Sequence, residues 1–390
     1  MKIISVVGAR PNFMKIAPLM RELARHPDFD HLLVHTGQHY DPTMSDVFFS
    51  DLKLPEPDVH LGVGSGSHAG QTAQVMLGFE PVLSAECPDL VIVVGDVNST
   101  LACSLVAAKL QVPIAHIEAG VRSFDRSMPE EINRVVTDAL SSLLFSPSPE
   151  ANLNLAAEGV PPERIYLVGN VMADTLSQAA GLAADRHTFR RWGLGPGEYA
   201  VCTLHRPSNV DDPGRLGALM ETLGQVSARL PVILPLHPRT ARNLQAFGLE
   251  ARHPQAPNLI LTEPLGYLDF LSLLSEAKLV LTDSGGIQAE TSIVGVPCLT
   301  LRENTEWPVT VEQGTNYLVG TDPVAVLAVV EQILAGQSKV GRVPELWDGQ
   351  AAGRIADVLG AWSSRRQSSL ASESPPDKPP IRLKAISMIS

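Results

Sequence analysis

Short runs of Val, Ile and Leu recur along this 390-residue chain, and stretches of helical length separate most of them. Continuous apolar runs indicate strands that are buried on both faces, and strands that alternate with helices pair in parallel. The first half therefore predicts an α/β domain with a doubly wound parallel sheet. Its predicted strands are Lys2–Val7, His31–Thr36, Leu90–Val94, Pro113–Ile117 and Ile165–Val168.

The same alternation starts again after Asn170, with helices predicted over Pro213–Arg229 and Tyr267–Ser275. The length and the hydrophobic fraction of 44% suffice for two such Rossmann-like domains. We expect them over residues 1–169 and 170–348, with a ligand in the cleft where the carboxyl ends of both sheets meet. The predicted strands of the second domain are Tyr199–Thr203, Val232–Leu236, Leu259–Leu261, Leu279–Thr282 and Pro297–Leu301.

The composition changes toward the C-terminus. A helix is predicted over Gly349–Trp362, and we expect it to pack back on the N-terminal domain. Residues 363–390 begin with a segment rich in Ser and Pro, which predicts a disordered tail.

Charge and cysteine spacing exclude several classes of function. The formal net charge is -12 without a long basic cluster, which argues against nonspecific binding of nucleic acid. The first residues, MKIISVVGARP, predict neither a signal peptide nor a membrane span, so we expect a cytoplasmic protein. The four cysteines lie far apart without a C-x-x-C pair, which predicts buried, reduced thiols rather than disulfides or a zinc site. They are Cys87, Cys103, Cys202 and Cys298.

The segment LVLTDSGGIQAE, Leu279–Glu290, joins an apolar strand to a predicted helix through a turn with two glycines. Gly285 and Gly286 let a ligand approach the backbone closely, and the amides of the first helical turn, with Ser284 as predicted N-cap, attract an anion. A glycine pair after a strand is equally typical of a tight turn that only lets the helix pack. Cationic residues elsewhere in the chain favour the phosphate site.

These cations follow predicted strands, where parallel sheets bind ligands. Their guanidinium, ammonium and imidazole groups predict a cationic rim around a pyrophosphate. Neither a Walker A loop nor G-x-G-x-x-G occurs here, so ATP hydrolysis and nicotinamide binding lose support. The candidates are Arg10, Lys15, His205, Arg206 and His237.

Acidic residues follow strands of the first half. Asp96 comes directly after LVIVVG, Glu118 follows PIAHI, and Glu130 starts a predicted helix. A carboxylate buried at this edge of the sheet is suited to proton transfer, although each acid also fits a salt bridge or a helix cap. Glu290, further along the helix after the glycine turn, is placed to accept hydrogen bonds from ribose hydroxyls, and a solvated helix face explains it equally well.

Eight motifs in this order resemble the non-hydrolysing UDP-N-acetylglucosamine 2-epimerases of bacteria across residues 1–360. They are GARPNFMKIAP, TGQHYD, VVGDVNST, HIEAGVRS, PEEINR, HRPSN, LTDSGGIQAE and EQGTNYLVG. The resemblance implies a GT-B arrangement of the two domains, a homodimer, and no metal or other cofactor. It also implies conversion of UDP-GlcNAc into UDP-ManNAc, a precursor of surface polysaccharide, by elimination of UDP to 2-acetamidoglucal and its re-addition.

The resemblance also implies roles for single residues. Asp96, Glu118 and Glu130 match the acids implicated in catalysis, and His205 matches a histidine near the pyrophosphate. Arg10 and Lys15 line the cleft, Ser284, Gly285 and Gly286 form the diphosphate turn, and Glu290 binds the ribose. In the best-understood members, a second UDP-GlcNAc acts as an activator and contacts a Gln-His pair, which Gln38 and His39 match.

Two positions depart from the family pattern. Trp307 stands where members commonly carry the Arg of T-E-R-P-E, and the helix that begins near Gln71 lacks an Arg that contacts the activator. Three other functions stay open: a hydrolysing epimerase that releases free ManNAc, a GT-B glycosyltransferase, and a nucleotide-sugar sensor without activity.

Overall fold

The computed structural model describes residues 1–38, 55–249, 256 and 258–372, and its strands form two parallel sheets. The first sheet has seven strands in the order β3-β2-β1-β4-β5-β6-β7. Every neighbouring pair in it is parallel, which requires the helical crossovers that the sequence pattern predicts. The strands are β1 (Lys2–Val7), β2 (Asp30–His35), β3 (Val59–His60), β4 (Leu90–Val94), β5 (Ile114–Ile117), β6 (Leu143–Ser146) and β7 (Ile165–Leu167).

Helices cover both faces of this sheet. Several begin with a proline in the first turn or with a side-chain cap, as Ser67, Ser148 and Asn170 provide. The helices are α1 (Arg10–Leu23), α2 (His68–Glu86), α3 (Asn98–Lys109), α4 (Pro129–Leu140), α5 (Pro149–Ala157) and α6 (Val171–Ala184).

The second sheet has six parallel strands in the order β10-β9-β8-β11-β12-β13. They are β8 (Ala200–Thr203), β9 (Val232–Pro235), β10 (Leu259–Thr262), β11 (Leu279–Thr282), β12 (Cys298–Thr300) and β13 (Asn316–Leu318). The accompanying helices are α7 (Pro207–Val210), α8 (Pro213–Ser227), α9 (Pro238–Ala246), α10 (Tyr267–Ser275), α11 (Gly285–Val294), α12 (Pro308–Glu312) and α13 (Pro323–Leu334).

The predicted strands lie within two residues of the observed ones, and three observed strands were not predicted. β3 and β13 are short edge strands, and β6 has only four residues before a proline, so none shows a long apolar run. The two sheets lie on either side of residues 169 and 170. The division into domains at that point stays a prediction.

The C-terminal helix α14 (Ala351–Ser372) is longer than the predicted Gly349–Trp362. Its buried residues Ala351, Ile355 and Leu359 recur every four positions and join the core that α1 and α6 form with the first sheet. The expectation of disorder from residue 363 is therefore wrong up to Ser372, because nothing before Pro375 interrupts a helix there. The rest of that predicted tail, 373–390, lies outside the described residues.

No helix within the described ranges is both long and apolar enough to cross a membrane.

Candidate functional site

Asp96 follows β4 and the Gly95 turn, at the carboxyl edge of the first sheet. Its Oδ2 lies 2.6 Å from Nη1 of Arg134, which α4 carries. The Arg134 side chain is buried while Asp96 is half-buried, so the carboxylate faces the open side of this pair. Burial alone would lower the pKa of Arg134, but the carboxylates of Asp96 and Glu306 raise it, so this guanidinium stays charged.

Glu118 follows β5 with a φ of +74°, a conformation that L residues rarely adopt. Its Oε1 lies 2.6 Å from Nζ of Lys15 on α1, and both side chains are buried. The other oxygen, Oε2, is buried and makes no hydrogen bond within the described part of the chain. Burial raises the pKa of Glu118, with Asp96 adding to this and Lys15 opposing it, so the group is suited to carry a proton.

Glu131, next to the predicted Glu130, has a different task. It is buried, its Oε2 accepts hydrogen bonds from the backbone and hydroxyl of Ser123, and it also pairs with Arg134 at 2.8 Å. Although burial alone would raise the pKa of Glu131, these hydrogen bonds lower it. Glu131 therefore anchors the loop before α4 and fixes Arg134.

Glu130 faces the second domain. Its Oε1 lies 3.3 Å from Nη1 of Arg206, and Nη2 of Arg206 lies 3.4 Å from Oε1 of Glu306. Glu306 is buried and also pairs with Arg302 at 2.6 Å. Burial would raise the pKa of Glu306, but the surrounding arginines, Arg302, Arg206 and Arg134, lower it. Charged side chains of both domains thus meet in one cluster in the cleft.

His205, which follows β8, is held by Asp283, which follows β11. The imidazole Nδ1 lies 2.9 Å from Oδ1 of this fully buried carboxylate, whose Oδ2 also accepts hydrogen bonds from the backbone amides of His205 and Arg206. Because Nδ1 is paired with Asp283, Nε2 is the ring nitrogen that is available to a ligand. His237 lies nearby, with its ring centroid 5.5 Å from that of His205, and it caps α9.

The glycine turn forms the N-terminus of α11 as predicted, with Ser284 at the N-cap position. Ser284 therefore has the predicted N-cap position, and its side chain makes no capping hydrogen bond there. Gly285 is buried, and a methyl group on it would overlap the carboxylate of Glu306. Gly286 is exposed, and its nearest neighbour for an added methyl is Oγ of Ser284 at 3.9 Å. Gly285 is therefore required for close packing, which is the alternative that the sequence left open.

Glu290 lies one turn further along α11 and is buried rather than on a solvated face. Burial raises its pKa to about 8. Burial raises the pKa of the Tyr267 phenol on α10, and the charge of Glu290 raises it further. No cation pairs with this carboxyl in the part of the chain that the structure describes, which is typical of a group that binds hydrogen-bond donors of a ligand.

Trp307 is buried at the junction of the two domains. Its ring meets Trp347 edge-on at a centroid distance of 5.6 Å, within an apolar cluster that includes Val121 of the first domain and Ala289 of α11. The indole therefore packs where many relatives are expected to have a charged side chain. Its Nε1 lies beside Gly285.

The predicted activator residues are described only in part. Gln38 is buried, and its Oε1 accepts hydrogen bonds from the backbone and hydroxyl of Ser99 at the start of α3. His39 lies outside the described residues, as does the side chain of Arg10, whose backbone begins α1. A role for Gln38 and His39 in activation stays a prediction.

The sequence did not predict the ion-pair partners of the site residues, such as Arg134 for Asp96 and Asp283 for His205. Arg134 occurs four positions after Glu130, a helical spacing that signals a shared face, and Asp283 directly precedes the glycine turn. Arg302 and Glu306 are also four positions apart, but this segment is not helical, so the spacing does not predict their ion pair. Among the described residues, no group of His, Cys, Asp and Glu is arranged to hold a metal ion.

Comparison with known proteins shows to which family the chain with this site belongs. A family model described as UDP-N-acetylglucosamine 2-epimerase matches residues 21–360. The chain belongs to this family. A crystal structure of the Methanocaldococcus jannaschii UDP-GlcNAc 2-epimerase in complex with UDP-GlcNAc and UDP has a TM-score of 0.87 and 41% identity, covering 93% of this chain and 100% of that one. The domains of this epimerase-family chain accordingly have the predicted GT-B arrangement.

Two curated relatives of the epimerase family differ in their named substrates. The UDP-N-acetylglucosamine 2-epimerase of M. jannaschii is 41% identical over 364 residues, which cover 92% of this chain and 99% of the relative. A Pseudomonas aeruginosa relative, named UDP-2,3-diacetamido-2,3-dideoxy-D-glucuronate 2-epimerase, has the same identity and the same coverage. Both names describe epimerisation at C2 of a UDP-linked 2-acetamido sugar.

Proposed function

We propose that this enzyme interconverts UDP-N-acetylglucosamine and UDP-N-acetylmannosamine by removing and restoring the proton on C2. The observation that carries the proposal is the pair of acids at one edge of the first sheet, opposite a cluster of arginines at the second. Asp96 and Glu118 each pair with a buried cation, while Arg206 and His205 follow β8 on the other side of the cleft. Family membership supports the choice of reaction.

The reaction needs both sides of the cleft because C2 beside an acetamido group is not acidic. As a base takes the C2 proton, the electron pair of the C–H bond forms the C1–C2 double bond. The bond from C1 to the diphosphate oxygen breaks, and UDP leaves with the electron pair of this C1–O bond. In the second step the UDP oxygen attacks C1, and an acid delivers a proton to the opposite face of C2, so the overall reaction is balanced without an oxidant or reductant.

The two acids differ in a way that supports separate tasks. Glu118 has a raised pKa and an oxygen without a hydrogen-bond partner in the described part of the chain, so we assign it the delivery of the proton. Asp96, paired with the guanidinium of Arg134 and open to the cleft, is assigned its removal. The roles exchange in the reverse reaction.

Stabilisation of the leaving diphosphate falls to the second domain. Arg206 offers a planar guanidinium, His205 is oriented by Asp283, and the backbone amides of the first turn of α11 point toward an anion. Lys15, Arg10 and His237 complete the proposed cationic rim. Glu130 would then pair with Arg206 when the site is empty and assist catalysis when UDP binds that arginine.

Glu290 is the proposed partner of the ribose. Hydroxyl donors would stabilise its charged form, so UDP binding should lower the pKa that burial raises. Ser284, Gly285 and Gly286 would hold the diphosphate at the start of the same helix.

Proton NMR of the enzyme with UDP-GlcNAc in heavy water tests the reaction. The expected result is deuterium at C2 in both UDP-GlcNAc and UDP-ManNAc. A second sample with UDP-2,3-diacetamido-2,3-dideoxy-D-glucuronate tests the substrate of the Pseudomonas relative. Exchange only in that sample would assign the other sugar, and no exchange in either would reject the epimerase.

The same experiment separates the other functions. A hydrolysing epimerase would accumulate free ManNAc and UDP, whereas a glycosyltransferase would release UDP only with an acceptor. A sensor would bind the nucleotide sugar without turnover. We rank these below the epimerase because the chain retains each matched acid, and binding alone would not need them.

We also propose a homodimer in the cytoplasm. The family resemblance supports the dimer, and the four cysteines, which are all free and mostly buried, support a reducing compartment. Light scattering of the purified protein tests the first proposal, and fractionation of cells tests the second.

A further inference from the structure

Three consecutive carbonyl groups at the end of β4 are each held by a buried side chain from a different element. The carbonyl of Val94 accepts a hydrogen bond from Nδ2 of Asn12 on α1 at 2.9 Å. The carbonyl of Gly95 lies 2.8 Å from Nε2 of His116 on β5, and that of Asp96 lies 2.8 Å from Nδ2 of Asn133 on α4. The backbone that presents Asp96 is thus fixed on several sides.

His116 is fully buried and forms the central contact of this set. Its second ring nitrogen, Nδ1, lies 2.6 Å from Oδ1 of Asp138 on α4. Oδ2 of Asp138 accepts hydrogen bonds from the backbone amide of Gly120 at 3.0 Å and from Arg122 at 2.7 Å. The imidazole therefore bridges a carboxylate and a main-chain carbonyl.

The two partners determine how many protons the ring carries. A carbonyl oxygen only accepts hydrogen bonds, so Nε2 must donate to Gly95. Asp138 receives two further donors, and although burial alone would raise its pKa, His116 and Arg122 lower it, so it is a carboxylate and Nδ1 must donate as well. An imidazole with both nitrogens donating is an imidazolium.

The charges of the surrounding groups agree with this protonation state. The buried set comprises Asp138, Arg122 and His116, and Arg122 also pairs with Glu158, which is partly exposed. With a charged ring, the carboxylates of Asp138 and Glu158 are balanced by two cations, Arg122 and His116. A neutral ring would leave one uncompensated negative charge among these four residues, and one ring nitrogen would face the Asp138 carboxylate or the Gly95 carbonyl without a proton to donate.

The position of His116 couples this cation to both proposed acids. Glu118 comes two residues later, directly after the end of β5, and the amide of Gly95 donates to the carbonyl of Ile117 at 3.0 Å. We propose that His116, as an imidazolium that donates to both Asp138 and the Gly95 carbonyl, is the positioning residue that sets Asp96 and Glu118 in register for proton transfer at C2. This inference rests on the proposed epimerase reaction.

The protonation of the ring is tested on the whole protein without substrate. Nitrogen-15 NMR of histidine-labelled enzyme at neutral pH should show one ring with protons on both nitrogens, and His116→Gln should remove that signal. His31 provides an internal contrast, because burial lowers its pKa to about 4 and its ring should carry one proton. A His116 signal with a single ring proton would overturn the proposal.

Kinetics test the positioning role. The His116→Gln variant retains one amide donor, but it loses the positive charge and cannot make both hydrogen bonds, to Asp138 and to the Gly95 carbonyl. It should lower kcat about 10- to 100-fold, while the KM and the Kd for UDP change little. His31→Gln is the matched control on another strand and should keep kcat. Asn133→Leu removes the hydrogen bond to the Asp96 carbonyl, together with a longer one to Oδ1 of Asn98 at 3.3 Å. It should lower kcat in the same way and covers the case in which His116→Gln fails to fold.

The outcomes separate this inference from the proposed function. An unchanged kcat in folded His116→Gln and Asn133→Leu variants would overturn the positioning role, whatever the NMR result. A loss of UDP binding equal to the loss of kcat would indicate a merely structural role and would also overturn it. Absence of turnover in the wild-type enzyme would reject the epimerase proposal, while the ring protonation would still be measured on its own.

Discussion

Nζ of Lys15 lies 2.6 Å from Oε1 of Glu118, and both side chains are buried at the carboxyl edge of the first sheet. The ammonium group lowers the pKa that burial of the carboxyl raises. The two influences act in opposite directions on a group that, in the proposed reaction, gives and regains a proton. Removing either partner should disturb catalysis in a different, measurable way.

Glu118→Gln should lower kcat roughly 10²- to 10⁴-fold, because the amide cannot carry the proton. The Kd for UDP should stay close to that of the wild type, since Glu118 is not among the proposed nucleotide contacts and most of these lie on the other domain. Steady-state kinetics and calorimetry measure the two quantities. Equal loss of both would contradict a role in proton transfer.

Lys15→Met should move the alkaline limb of kcat/KM to higher pH in the forward reaction. Glu118 is assigned as the acid and must be protonated, so activity falls as the pH rises through its pKa. Without the ammonium group that pKa rises further, and the fall comes later. Lys109→Met, on the exposed end of α3, is the control and should leave the limb in place. A limb that moved to lower pH would exclude this assignment.

Gly285→Ala should reduce stability, whereas Gly286→Ala should not. The methyl group at Gly285 would overlap the buried carboxylate of Glu306, but the one at Gly286 would meet only Oγ of Ser284 at 3.9 Å. Overpacking of this kind costs about 1–3 kcal/mol. Melting temperatures of the two variants measure the difference, and equal values would show that the Glu306 loop moves freely.

The difference in stability between the Glu290→Gln variant and the wild type should grow in favour of the variant as the pH rises from 4.5 to about 8. In that window the folded wild type holds a proton on Glu290 that the unfolded chain has released. The free energy of unfolding therefore falls with rising pH, and the variant lacks this loss. The difference should reach a few kcal/mol. Denaturant titrations across the window measure it, with exposed Glu221→Gln as the control; parallel curves for Glu290→Gln and wild type would refute the raised pKa.

Arg206→Gln should weaken UDP binding roughly 10- to 100-fold, the value of a charge-assisted hydrogen bond to phosphate. Arg229→Gln is the matched control. Arg229 lies just after the end of α8, is exposed, and pairs with Glu331 on α13. Calorimetric titration with UDP compares the two variants. Equal affinity would mean that Arg206 serves only the ion pairs with Glu130 and Glu306.

The local sequence predicts the frame of this site well. Each parallel strand needs a continuous apolar run, so most strands and the residues just after them, among them Asp96, Glu118 and His205, were located from the chain itself. The strands that were missed are short or lie at an edge, where few side chains are buried. The C-terminal helix was cut short because its last turns are polar, although the helix continues without a proline.

The partners of those residues could not be predicted. Lys15 and Glu118 are 103 positions apart, Asp96 and Arg134 are 38 apart, and Arg206 and Glu306 are 100 apart. Local spacing carries no information about such pairs, because they depend on how the crossovers and the two domains pack. The state of His116 follows the same logic: its surroundings, not its residue type, fix both ring protons.

The amino-acid sequence by itself thus determined two parallel sheets, and it placed acids and cations at the edge where we propose that a ligand binds, since these positions follow from the period and order of apolar runs. Only the tertiary structure decided which acid is buried beside a cation, which carboxylate orients His205, and that Trp307 packs between the domains. Burial and pairing set the charge of a group, and both arise from contacts between distant parts of the chain.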